Sequence, residues 1–270
     1  MASKQSSSEK VSDRGSVAAL RAGKSGRAGK GPPNGTSAWE NIKAVVVTLA
    51  IFLVIRTFLI EAYRIPSGSM IPTLLVGDWL FVNKLVYGPH VPFTNINLPG
   101  YAEPARGDVV VFKSPNQIDQ PDDPNPTLVK RCVAVGGDTV HMRGGVFHVN
   151  GMAQRQVFPA SENPKGEGSF SHPLFAWQQE FIVKGTRMGE PPSAPTLDDW
   201  GPLVVPKGFL FMLGDNRYDS KDGRYWGIVP RENVRGRPMF VYYTYKADDS
   251  DRPLPFLTDI RWGRIGTIIR

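Results

Sequence analysis

Leu128-Val129-Lys130-Arg131-Cys132-Val133-Ala134-Val135 is the run that decides the fold class. It is short and rich in β-branched residues, so it reads as a strand. Successive strand side chains point to opposite faces, which puts Leu128, Lys130, Cys132 and Ala134 on one face. Runs of the same kind lie on both sides: Trp79–Val82, Val109–Phe112, Val146–Val149, Phe209–Leu213 and Phe240–Tyr245. Gly (28) and Pro (24) punctuate them, which favours turns and short strands over long helices. Asn150-Gly151 after Val146–Val149 is a hairpin signal. Residues 159–205 are Pro/Gly-rich and read as a looped insertion. No helix-length amphipathic repeat follows residue 64, and no internal repeat is visible. The expected fold is mostly β.

The N-terminal part is different. Residues 1–37 are rich in Ser, Gly, Ala and basic residues, with almost no large apolar ones. Such a segment cannot bury enough surface to offset its ordering entropy, so a disordered tail is expected. Gly23-Lys24-Ser25 resembles part of a phosphate loop, but Ala18 stands where that loop needs glycine, and no strand precedes it. Residues 1–43 hold eight basic and three acidic residues, a net +5 of the chain's +7. The basic character therefore belongs to the tail, which suits an anionic membrane surface as well as nucleic acid.

Next come Ala44–Ile55, Arg56-Thr57 and Phe58–Ile60. A bilayer span needs roughly 20 residues. Trp39 to Tyr63 supplies that length, with an aromatic residue near each interface and Arg56 able to snorkel at the far end. A buried core helix is the alternative. A cleaved leader fits less well, because Ile60 stands two places before Ala62, where a small residue is needed. The predicted organisation is a basic cytoplasmic tail at 1–37, a signal anchor at 38–63 and an extracytoplasmic domain at 64–270, oriented by the positive-inside rule. Cys132 is the only cysteine, which excludes an internal disulfide and a cysteine zinc cluster.

Three stretches could carry chemistry. In Arg64–Thr73, Ser69 lies between Pro66 and Pro72 beside Gly68, so a stiff and largely extended segment is expected. The alternative there is a Pro/Ser turn after the anchor. On its strand, Lys130 shares a face with small or apolar residues, and desolvation there lowers a lysine pKa. An unperturbed amine is neutral only about once in a thousand at pH 7, so a fall of roughly three to four pH units is needed for a base. Lys84 and Lys113 sit in similar patterns, so alternation alone does not select Lys130. Leu213–Gly227 follows an apolar strand and concentrates Asp, Asn, Arg and Ser in one loop. The four histidines, His90, His141, His148 and His172, form no metal-ligand spacing, and there is no GxSxG elbow.

Taken in order, Ser67-Gly68-Ser69-Met70 with Pro72-Thr73-Leu74, Arg106-Gly107-Asp108 before Phe112-Lys113, Lys130-Arg131 before Gly136-Gly137-Asp138, and Gly214-Asp215-Asn216-Arg217 through Ser220, Asp222 and Arg224 to Trp226-Gly227 resemble the motif boxes of bacterial type I signal peptidases. The resemblance runs from about residue 40 to the C-terminus. It implies a serine endopeptidase with Ser69 as nucleophile and Lys130 as general base. It also implies an oxyanion hole from the Ser67 hydroxyl and the Ser69 N–H, and Ser220 orienting the lysine amine. Asp215, Arg217, Asp222 and Arg224 would hold the loop. Ile65, Pro66, Met70 and Val129 would help line shallow pockets for small side chains, giving Ala-x-Ala type cleavage. The implied fold is a β catalytic domain with a smaller inserted β region, matched here by 139–205. No metal or other cofactor is implied. The implied partners are signal peptides of secretory preproteins, the lipid bilayer and a neighbouring export translocon, with no nucleic acid. Tyr218-Asp219 and Gly223 depart from the family's usual Asp-Asn and Ser. A catalytically idle anchored binding protein and a self-cleaving Ser-Lys repressor are the competing classes, and no helix-turn-helix pattern in 1–63 supports the second.

Overall fold

A computed structural model describes residues 38–94, 96–117, 119–154, 173–185, 187–248 and 250–270. The expected disordered tail at 1–37 and His172 lie outside them. The described residues fall into two units, divided between Val46 and Val47.

Helix α1 spans Ala38–Val54 and runs on as one π-helical turn, Ile55–Leu59. None of its residues is buried against protein, and its 22 residues are long and apolar enough to cross a membrane. The helix stops four residues short of the expected Tyr63. Strand β1 (Ile60–Arg64) begins at once and pairs antiparallel with β2 (Asp78–Asn83). The break has a local cause. Lys84 Nζ donates to the carbonyls of Arg56 and Thr57 and sits 2.6 Å from Glu61. A cation on the last carbonyls satisfies groups the helix leaves open.

After β2 come β3 (Val109–Lys113), β4 (Thr127–Val135), β5 (Thr139–Arg143), β6 (Val146–Val149) and β7 (Met152–Ala153). The rest are β8 (Trp200–Val204), β9 (Phe209–Leu213), the short helix α2 (Gly223–Trp226), β10 (Val229–Pro230) and β11 (Val234–Thr244). They form a seven-stranded sheet, β1-β2-β11-β3-β4-β9-β10, and a four-stranded sheet, β7-β6-β5-β8. The smaller sheet is inserted between β4 and β9. The long β11 pairs with both β2 and β3 and so joins two parts of the large sheet. At Gly236 any side chain would strike Val82 and the Asn83 carbonyl, within 2.7 Å, so only glycine fits this crossing. Asn150 (φ 53°) and Gly151 (φ 81°) make the turn between β6 and β7, as the Asn-Gly pair predicts.

The large sheet is covered on both faces. Val110, Phe112, Cys132 and Met212 pack on one, with Trp226 and Val234. Val109, Val111, Ile65, Met70 and Leu80 pack on the other, with Val129 against them. Ala134, beyond a register shift at Cys132, joins a third cluster with Phe147, Trp200 and Phe211 that ties the two sheets together. The predicted common face of β4 therefore divides at this irregularity. The looped reading of 159–205 also needs correction. It contains β8 and the 3-10 segment Pro173–Phe181. Gly201 and Pro202 are tolerated in β8 because they fall where its register with β5 shifts. On the outer side β8 meets only the short segment of the Ile182–Leu203 bridge, whose Val183 N–H donates to the Pro202 carbonyl.

Candidate active site

The segment after β1 is held at its base by Ile65 N–H, which donates to the Asp78 carbonyl. Ser67 is extended, and Gly68–Met70 then form a 3-10 turn. The expected extended segment is thus bent at Ser69. The buried Met70 anchors the turn in the core, and the Ile71 N–H donates back to the Gly68 carbonyl. Asn216 holds it from the opposite side: its N–H donates to the Ser69 carbonyl at 3.1 Å and its Nδ2 to the Gly68 carbonyl at 3.3 Å.

Lys130 lies in β4 opposite Val110 and is 4% exposed. Its Nζ is 2.5 Å from Ser69 Oγ, across 61 residues of sequence. Burial lowers its pKa to about 8, with Arg224 adding to the fall and Asp222 opposing it. At pH 7 roughly one amine in ten is then neutral. The fall is smaller than the sequence argument asked for. Lys113 is exposed at the end of β3, and Lys84 is engaged at the end of the helix. Register therefore selects Lys130 where alternation did not.

The loop between β9 and α2 packs beneath this pair. A side chain at Gly214 would lie 2.1 Å from Ser220 Oγ and 2.6 Å from the Ser69 carbonyl, so glycine is required. Asp222 and Arg224 form a buried two-point ion pair at 2.8 and 2.9 Å. Asp222 also accepts from the Gly214 N–H, and Arg224 donates to the carbonyls of Arg217 and Ser220. Arg224 and these other donors keep the Asp222 carboxyl below the usual range despite burial. Arg217 donates to the Gly214 carbonyl and lies over the Phe147 ring. Asp215 turns away from the lysine. It takes two bonds from Arg131, at 2.7 and 2.6 Å, and one from Thr73 at 2.5 Å. Ser220 Oγ is buried and makes no hydrogen bond, so the expected contact with the Lys130 amine is not formed.

A cavity of about 750 Å³ opens at Ser67, Ser69, Lys130 and Ser220. Ile65 and Met70 are buried in the core with Val129 against them, and Pro66 is exposed. None of these four lines the cavity, and neither do His90, His141 or His148. Sequence reasoning gave no role to Thr73, Arg131 or Asn216, which pin the Ser69 segment and the loop to one another. Arg131, a cation inside an apolar strand, was the available signal for that network.

The arrangement supplies a hydroxyl touching a buried amine beside an open cavity, as nucleophilic catalysis needs. The signal peptidase, peptidase S26, profile matches residues 38–243. Signal peptidase I of Pseudomonas fluorescens is 34% identical over 240 residues, which cover 84% of this chain and 78% of that one. Signal peptidase I of Aquifex aeolicus (strain VF5) is 33% identical over 236 residues, 76% of this chain and 84% of that one. A crystal structure of a signal peptidase I from Enterococcus faecalis V583 is 26% identical and covers 50% of this chain and 96% of that one, at a TM-score of 0.30.

Proposed function

The chain belongs to the signal peptidase family, peptidase S26, whose serine peptidases cleave signal peptides from preproteins, and we propose that it works through a Ser69–Lys130 dyad. The observation that carries this is the 2.5 Å approach of a buried, pKa-lowered amine to Ser69 Oγ. The neutral Lys130 amine takes the hydroxyl proton as Oγ attacks the scissile carbonyl carbon. The Ser67 hydroxyl and Ser69 N–H stabilise the oxyanion that forms. Collapse breaks the peptide bond, and Lys130 returns its proton to the leaving amine. Lys130 then takes a proton from water as that water attacks the ester carbonyl. On collapse the C–Oγ bond breaks, Lys130 returns the proton to Ser69 Oγ, and the signal peptide leaves with its new carboxylate. Substrate entering the cavity displaces water and weakens the amine's hold on a proton further. Ser220, whose buried hydroxyl is unpartnered beside the cavity, would orient the Lys130 amine by a hydrogen bond formed once substrate is bound.

Cleavage is proposed to follow Ala-x-Ala type sites. Of the residues expected to line shallow pockets for small side chains, Ile65 and Met70 are buried in the core with Val129 against them, Pro66 is exposed, and none lines the cavity at Ser69. The 22-residue apolar helix fits a single-pass membrane protein. Its flanking charges support an N-terminus in the cytoplasm and residues 64–270 outside the cytoplasmic membrane, against the bilayer and near the export translocon. The test is cleavage of a preprotein by the detergent-solubilised chain. Wild type should cut after Ala-x-Ala, and Ser69→Ala, Lys130→Ala and the double variant should be equally inactive, because the two residues act as a unit. Cleavage by Lys130→Ala at the wild-type rate would remove the dyad.

A further inference from the structure

Helix α2 is a single turn, Gly223–Trp226, and it carries Arg224, whose ion pair with Asp222 is part of the setting of Lys130. One turn cannot hold itself, because a helix that short is unstable alone in water. Glycine stands at both of its ends. At Gly223, where the family usually has Ser, an added side chain would lie 2.7 Å from the Met212 carbonyl and 3.1 Å from the Phe211 ring. At Gly227 (φ 91°) it would lie 3.2 Å from the Trp177 ring. The turn is therefore pressed between β9 and the 3-10 segment Pro173–Phe181, which belongs to the region inserted between β4 and β9.

Trp177 does more than fill space there. Its Nε1 donates to the Arg224 carbonyl at 3.2 Å, while its ring packs against Phe181 and Phe211. The bond fixes the backbone of Arg224, and the Arg224 side chain then meets Asp222 and the carbonyls of Arg217 and Ser220. Trp177 does not line the cavity at Ser69, so any effect it has on the reaction passes through the loop.

We propose that the inserted 3-10 segment is a clamp on the loop beneath the dyad, with Trp177 as a positioning residue whose indole N–H holds the Asp222–Arg224 pair in place against Lys130. This rests on the peptidase reading above. Asp215, Asp219, Asp222 and Arg224 face the amine from the loop. Arg217, Lys221 and Asp119 line the same cavity, and Arg131, next along β4, points to the other face and pairs with Asp215. The loop thus brings most of these charges, together with the burial that drives the proton off Lys130. Released from the clamp, the loop admits water, the amine recovers its hold on a proton, and cleavage needs a higher pH.

The experiment measures kcat and KM against pH on one preprotein with the full chain in detergent, for wild type, Trp177→Phe and Trp200→Phe. Trp177→Phe keeps an aromatic ring and loses the N–H donor. Trp200→Phe is the matched control in the same apolar cluster: its ring meets Phe147 and Phe211, and its Nε1 has no partner. Trp177→Phe should lower kcat by about three- to tenfold, the effect of one hydrogen bond, leave KM within about twofold, and move the acid limb to higher pH. Trp200→Phe should keep the wild-type kcat and acid limb. A Trp177→Phe enzyme with wild-type kcat and an unmoved limb would overturn the clamp while leaving the dyad intact. Equal changes in both variants would overturn it too, since they would follow from lost core packing alone. A wild-type chain that cuts no preprotein would overturn the peptidase reading and this inference with it.

Discussion

The two sheets solve opposite problems. The small sheet packs Val140, Phe147, Val149, Trp200 and Leu203 into an apolar core. Its buried His141 stacks on His148 at 4.5 Å, and burial lowers its pKa to about 4, so it packs as a neutral ring. The large sheet and its loop bury charge instead: Asp78, Lys130, Arg131, Asp215, Asp222 and Arg224. Nearly every one is matched. Asp78 takes bonds from Arg264 and Thr244, Arg131 pairs with Asp215, and Asp222 pairs with Arg224. Lys130 is the exception among the described residues, since its amine meets the Ser69 hydroxyl and no carboxylate. Buried charges are usually paired, because an unpaired one is costly. The lesson is that the surrounding pairs hold a rigid frame in which one amine is left ready to lose its proton.

The sharpest way to break this contrast is Asp222→Ala, which leaves Arg224 buried without its partner. The expected loss is about 3–5 kcal/mol of stability, read by thermal unfolding in detergent, with the cleavage rate falling as Lys130 loses its setting. Unchanged melting and rate would remove the loop from the mechanism. In the small sheet, Leu203→Ala should cost about 2–5 kcal/mol by leaving a cavity, yet keep the wild-type pH dependence of cleavage below its melting temperature. A shifted pH profile would show that the small sheet shapes the dyad directly. Lys113→Ala should do least, with activity within about twofold of wild type, because its exposed side chain stands at the end of β3.

Much of this division could be read from the sequence, and the failures have physical causes. Strands β2, β3, β4, β6 and β9 announce themselves by β-branched runs between turn residues. Strand β1 hid behind α1 because Ile60 continues the apolar run, and only the pairing with β2 separates them. Strand β8 carries Gly201-Pro202, which reads as loop unless the register shift there is known. The start of β11 was missed because Gly236 and Pro238 sit where it turns from β3 to β2. At the site, the motif boxes brought Ser69, Lys130, Ser220 and Asp222 to notice. The partner of Asp215 lies 84 residues away on Arg131, a distance that no local pattern can bridge.

The most direct test of the buried amine is the pH dependence of kcat/KM between pH 5 and 10 on a preprotein without titrating groups at the cut. A base must be neutral to accept the Ser69 proton, and burial lowers the Lys130 pKa to about 8. Activity should therefore rise about tenfold per pH unit below that value and level off above it. An acid limb near 6.5 that vanishes when one histidine is replaced, or a flat profile, would contradict Lys130 as the base.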